Sequence, residues 1–104
     1  MVARTWRGWT KAADLDRYVE YVKETGVEGL SDTEGNRGVY IFSRRDGDRA
    51  EIVVTSLWDS LESVRAFAGE DVDRAVFYPE DDDFLVDREW MCTHYEVPVA
   101  QVVR

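Results

Sequence analysis

Cys92 and His94 are the only cysteine and the only histidine of the chain, and MCTHYEV (91–97) sets them two residues apart. A thiol beside an imidazole suggests a nucleophile with its base, or a fragment of a metal site. On a strand, residues i and i+2 share a face, with Cβ atoms roughly 6.5–7 Å apart at ~3.3 Å rise per residue. A nucleophile and its base must come within about 3 Å, so this spacing works against a direct pair. Cys92 then reads as a small buried thiol. His94 remains a candidate base or proton shuttle, because imidazole titrates near neutrality. The competing reading is a hydrogen bond to a neighbour across the sheet.

The other chemistry-bearing residues lie at the opposite end. VARTWRGWT (2–10) puts Arg4, Trp6 and Gly8 on one strand face and Thr5, Arg7 and Trp9 on the other. An arginine facing a closed cavity needs an acid or an anionic substrate beside it. Arg4 or Arg7 could therefore stabilise a phenolate or enolate. The alternative is a salt bridge to Glu51, Glu89 or Glu96 on other strands. Trp6, Tyr40, Trp58, Trp90 and Tyr95 are candidate walls for a flat ring, or plain core and interface residues. Asp81-Asp82-Asp83 lacks the alternating ligands, central glycine and terminal glutamate of a calcium loop. One histidine and one cysteine offer no zinc-ligand pairs. The acidic run is expected to be solvated, and no metal or cofactor is expected.

Local patterning supplies the elements that must position these groups. After the first strand, Leu15, Tyr18, Val19 and Val22 fall at helical spacing, predicting an amphipathic helix over 12–24 that Gly26 ends. A polar loop is expected at 27–35. Strands at 37–45 and 49–58 flank Asp46-Gly47-Asp48, a hairpin turn. Asp59 and Ser60 can cap a helix whose buried stripe is Leu61, Val64, Phe67 and Ala68, with Glu62 set for a capping box on Asp59. A short helical turn at 71–76, a loop at 77–87 and a last strand at about 88–97 complete the chain.

This order is β-α-β-β-α-β, the ferredoxin-like α+β arrangement: a four-stranded antiparallel sheet with two helices on one face. VYIF and IVV in the central hairpin are apolar on both sides of the pleat, whereas a sheet with one wet face should alternate. A second copy packing sheet against sheet would cover that face, so a homodimer forming a dimeric α/β barrel is expected.

The totals fit a single domain of 104 residues, 44% hydrophobic and 34% charged. A formal charge of −9 repels phosphate backbones and anionic lipid, which argues against nucleic acid or a membrane as partner. No apolar run is long enough to span a bilayer, and no secretion signal is expected from MVARTWRGWT. A lone cysteine fits a reducing cytoplasm.

RTWRGWT, GNRGVYIFSRR, SLWDSLESVRAFAGED and THYEV together resemble the antibiotic biosynthesis monooxygenase-like family, a branch of the dimeric α/β-barrel superfamily, over nearly the whole chain. The resemblance implies an enzyme using neither metal nor flavin, in which a deprotonated phenol or dihydroxyarene reacts with oxygen itself. Trp58 matches a tryptophan near the substrate of the quinone-forming members. Their asparagine four residues earlier and tyrosine six residues later are Val54 and Val64 here. The haem-degrading members carry an axial histidine near the position of Phe77 and a haem-distorting tryptophan at that of Phe67; their first-strand asparagine is also absent.

The expected function is a cofactor-independent, monooxygenase-like enzyme acting on a small aromatic or polyketide-like compound between helices and sheet. His94 would be the base, Arg4 or Arg7 the anion stabiliser, and Trp58 the wall. The alternatives are a non-catalytic dimer binding a small hydrophobic ligand or a protein, and a cofactor-free isomerase or cyclase.

Overall fold

The computed structural model describes residues 1–101 and 103. Strand β1 (Val2–Lys11) is central, and β3 (Arg49–Trp58) pairs with it antiparallel along its full length. β2 (Asn36–Asp46) lies outside β3, joined by the expected hairpin with Gly47 at φ +65. The other edge of β1 carries two short strands in line, β4 (Leu85–Arg88) and β5 (Thr93–Glu96). The order is the ferredoxin-like one, with five strands in four positions.

The last strand differs from the expected continuous run because residues 90–92 find another partner. Ala75 N–H donates to the Trp90 carbonyl (3.0 Å) and Cys92 N–H to the Asp73 carbonyl (2.6 Å). The segment after the second helix therefore forms a local bridge and draws the chain off β1. It is a turn, with Arg74 N–H bonded to Asp71 O, and not the expected helix at 71–76. The expected loop at 77–87 likewise holds α4 (Asp81–Phe84) and the start of β4.

The first helix also departs from expectation. α1 (Leu15–Val22) buries Leu15, Tyr18 and Val22 as its periodicity predicts, but it does not stop at Gly26. A wide π turn, Lys23–Val27, carries it into α2 (Glu28–Ser31). A glycine ends a helix by adopting positive φ, and Gly26 is not among the positive-φ glycines. Continuing lets Leu30 reach the core beside Trp58 and Val64. The chain reverses at Gly35, whose φ is +91 and whose Cα lies so close to Ser63 that a Cβ would collide with it.

α3 (Leu61–Ala68) is capped by Ser60 Oγ, which accepts from Ser63 N–H at 3.3 Å. Asp59 instead pairs with Arg37, and Glu62 with Arg65, so the expected capping box is absent. The helices cover one face of the sheet through two apolar clusters, around Tyr18, Val22 and Ile52, and around Leu30, Trp58 and Val64. Among the described residues no helix is long and apolar enough to cross a membrane.

Candidate active site

Register sorts the candidate residues by face. His94, Arg4 and Ser56 form one cross-strand row on the helix-covered side, with Trp6 and Val54 in the next. Between that side and the helices lies a cavity of about 70 Å³, partly open to solvent. Its apolar walls include Trp6, Val54, Phe67 and Phe77, and its polar groups include Arg4, Tyr18, Ser56, Tyr78, Asp81 and Cys92. The π turn contributes Thr25 and Gly26, and a Cβ on Gly26 would meet only Val22, at 3.9 Å. Such turns recur where a helix must reshape itself at a site.

Arg4 is the cation of this cavity and only 4% exposed. Its guanidinium donates to the carbonyls of Val72 and Arg74 (2.9 Å for the latter). A third N–H meets Nε2 of His94 at 3.2 Å. No carboxylate forms a salt bridge with it among the described residues. Burial pulls Arg4 below its usual value, opposed by Cys92 and Asp73, yet arginine starts so high that it stays charged. The Cys92 thiol is pushed up by burial, with Arg4 pulling it back. It is a protonated, weakly nucleophilic thiol near neutral pH.

A second polar pair sits on the same cavity. Tyr18 donates its hydroxyl hydrogen to Asp81 Oδ1 at 2.9 Å, and the other carboxylate oxygen accepts from Tyr78 N–H at 2.6 Å. Tyr18 is pushed far up, first by burial and then by Asp81. Asp81 is 6% exposed, which corrects the expectation of a wholly solvated acidic run. Asp82 and Asp83 are the outward members, Asp82 paired with Arg88. The run of acids concealed that one of them has a buried partner 63 positions away.

The sequence-selected residues separate cleanly. Arg4, Trp6 and Cys92 line the cavity. His94 reaches it only through Arg4, its Nδ1 lying 2.9 Å from Asp73. Arg7 lies on the helix-free face, bonded to Glu89 at 3.1 Å and 3.8 Å from Glu51. Tyr40 stacks on Phe42 on that same outer face. Trp58 is fully buried in the core, its indole N–H on Ser56 Oγ, and does not line the cavity. Trp90 is exposed, edge-on to Phe77 at 5.3 Å, with Arg88 over its ring.

No family model and no curated protein matches this chain. Solved structures do. An antibiotic biosynthesis monooxygenase-like protein from Bacillus cereus superposes with a TM-score of 0.71 at 17% identity, over 100% of this chain and 97% of that one. A second, from Chloroflexus aurantiacus, gives 0.57 at 18% identity, over 98% and 96%. A MhuD variant with two manganese protoporphyrin IX molecules per active site gives 0.63 at 14%, over 99% and 100%. The chain thus has the fold of the antibiotic biosynthesis monooxygenase-like structures.

A porphyrin does not suit the residues present. Phe77 stands between Trp6 and Trp90, and both nitrogens of His94 are engaged, leaving no imidazole for iron.

Proposed function

Starting from that shared fold, we propose that this protein is a cofactor-independent, monooxygenase-like enzyme that oxidises a small phenolic compound in the cavity beneath its helices. The observation that carries the reading is Arg4: a buried guanidinium on an aromatic-walled cavity, held by carbonyls and an imidazole, with no salt-bridging carboxylate among the described residues. Isolated buried cations are costly, and a phenolate formed in the cavity would supply the missing counter-charge. Preorganised donors aimed at developing negative charge are the strongest catalytic device of such sites.

Once ionised, an electron-rich ring gives electrons to dioxygen. A hydroquinone with a free ring carbon takes up one oxygen atom of O2 and becomes a hydroxyquinone, while the second atom leaves as water. The aromatic walls hold the ring and limit bulk water. His94 acts as a positioning residue: its Nε2 accepts from Arg4 while Nδ1–H donates to Asp73, which fixes where the guanidinium points.

Two copies would pack through their helix-free faces. Tyr40, Phe42 and Tyr95, each more than half exposed, lie there beside Val53 and Leu57, a grouping of exposed apolar side chains of the kind that marks an interaction surface.

The test is oxygen uptake with a panel of hydroquinones, using 18O2 to follow the atoms. One label should enter the product and one the water, and Arg4→Met should lose the reaction. Uptake no faster than autoxidation would overturn the oxygenase reading. Turnover under argon would instead mark a cofactor-free isomerase or cyclase, for which the same proton-transfer groups suffice.

A further inference from the structure

The cavity holds two opposite charges without ion-pair partners: among the described residues, Arg4 on β1 has no salt-bridging carboxylate and Asp81 on α4 has no salt-bridging cation. Both line the same space, and Tyr18 stands against Asp81. We propose that Tyr18 and Asp81 are the proton-abstracting pair of this cavity, in which the Tyr18 hydroxyl takes a proton from a neutral, weakly acidic substrate as it passes its own to Asp81. The inference rests on the reading of the cavity as an active site and names its substrate class: a phenol or enolisable ketone that enters uncharged.

The step balances. A substrate O–H or C–H bond breaks and its proton forms a new O–H bond on Tyr18. The original Tyr18 O–H bond breaks and that proton joins Asp81 Oδ1. Tyr18 ends neutral, Asp81 ends as the acid, and the substrate keeps the electron pair. The cavity begins with Arg4 and the Asp81 carboxylate and ends with Arg4 and the substrate anion, so its net charge does not change. That matters in a desolvated space, where creating an extra unpaired charge is the large cost. A substrate already anionic would add one.

The surroundings suit the task. Asp81 is held from its other oxygen by Tyr78 N–H, so its position does not depend on Tyr18. The groups facing Tyr18 are Asp81, the Arg88 guanidinium and the Tyr21 hydroxyl, with the Phe84 ring 5.3 Å away. Burial and Asp81 both oppose a free tyrosinate, which favours passing the proton through in one motion. Tyr18 is the residue that touches substrate, and Asp81 is the terminal acceptor behind it.

The test uses 2-indanone, a neutral carbon acid, in D2O under argon, with loss of its CH2 proton signal as the readout. Wild-type protein should accelerate exchange, and Tyr18→Phe and Asp81→Asn should each lower the rate about a hundredfold, within the usual range for general acid–base catalysis. Asp81→Glu should recover part of the loss. Thermal unfolding checks that the variants are folded. The wild-type pH profile is a second measurement needing no variant: the rate should stay flat through the range near ~10 where ordinary tyrosines ionise. Exchange at the buffer rate with wild type, folded Tyr18→Phe or Asp81→Asn at the wild-type rate, or a rise through the tyrosine range would each overturn the proposal. Exchange without oxygen uptake leaves this pair standing and removes the oxygenase. Oxygen uptake without exchange does the reverse.

Discussion

Arg4 and His94 are directly opposite on neighbouring strands, and the guanidinium points an N–H at Nε2 of the ring at 3.2 Å. Arginine has donors only, so Nε2 must present its lone pair and Nδ1 must carry the hydrogen, which goes to Asp73 at 2.9 Å. The single histidine is thereby held in one neutral tautomer and serves the arginine. His94→Ala should leave the fold intact and keep turnover, while the KM for a hydroquinone rises by roughly tenfold, the size of one lost hydrogen bond to a charged group. Steady-state kinetics of His94→Ala and His94→Phe checks this; loss of kcat alone would assign His94 the base role instead.

Arg4 itself should act on the ionisation of a bound phenol. Wild-type protein should shift 4-nitrophenol toward its coloured phenolate at a given pH, and Arg4→Met should abolish the shift. That variant also leaves the Val72 and Arg74 carbonyls without a donor, costing about 1–3 kcal/mol of stability. Absorbance titration and urea unfolding read the two effects separately.

Gly26 separates site from scaffold. Its backbone is helical and a Cβ there meets only Val22 at 3.9 Å, so Gly26→Ala should stabilise the fold by up to about 1 kcal/mol through helix propensity. Gly26→Leu would project into the cavity and should block hydroquinone binding. Gly35→Ala is the contrast: with φ +91 and Ser63 in the way, it should destabilise by at least ~1–3 kcal/mol with no specific effect on the site. Chemical denaturation of the three variants checks the ordering.

The protonated state of Tyr18 has a consequence for stability. In the unfolded chain a tyrosine ionises near ~10, whereas in the fold Tyr18 is held higher by burial and Asp81. The native state therefore keeps its proton longer, so stability is full below about pH 10 and declines as the pH rises beyond it. Urea midpoints measured across that range should fall for wild type, with a shallower fall in Tyr18→Phe.

These contrasts also explain what the amino-acid order could and could not convey. The hairpin at Asp46-Gly47-Asp48 and the α1 stripe follow from local rules of period and turn chemistry, and they are there. The run past Gly26 is not local: it is decided by Leu30 reaching the core with Trp58, a contact across the fold. Gly29 has a similar reason, since a Cβ there would lie 2.8 Å from the Tyr78 hydroxyl. Asp81 looked like its two acidic neighbours, because burial beside Tyr18 leaves no mark within five residues of either. The break after Arg88 depends on Asp73 and Ala75 claiming Cys92 and Trp90. What was legible was periodic; what was missed was pairing between distant segments.

The helix-free face makes a claim about assembly. Tyr40 and Phe42 stack at 6.3 Å and are more than half exposed in a single chain. Sedimentation at micromolar concentration should give twice the 12.0 kDa chain mass, and Phe42→Lys should return it to monomer with the helical signal unchanged. A wild-type monomer would remove the dimer from the account.

The most direct measurement is a crystal structure of the protein with hydroquinone bound under argon. The account predicts the ring between Trp6, Phe67 and Phe77, with one phenolic oxygen within about 3 Å of the Arg4 guanidinium. A ring seated on the helix-free face, or a cavity closed by its own side chains with Arg4 turned onto a carboxylate, would contradict it.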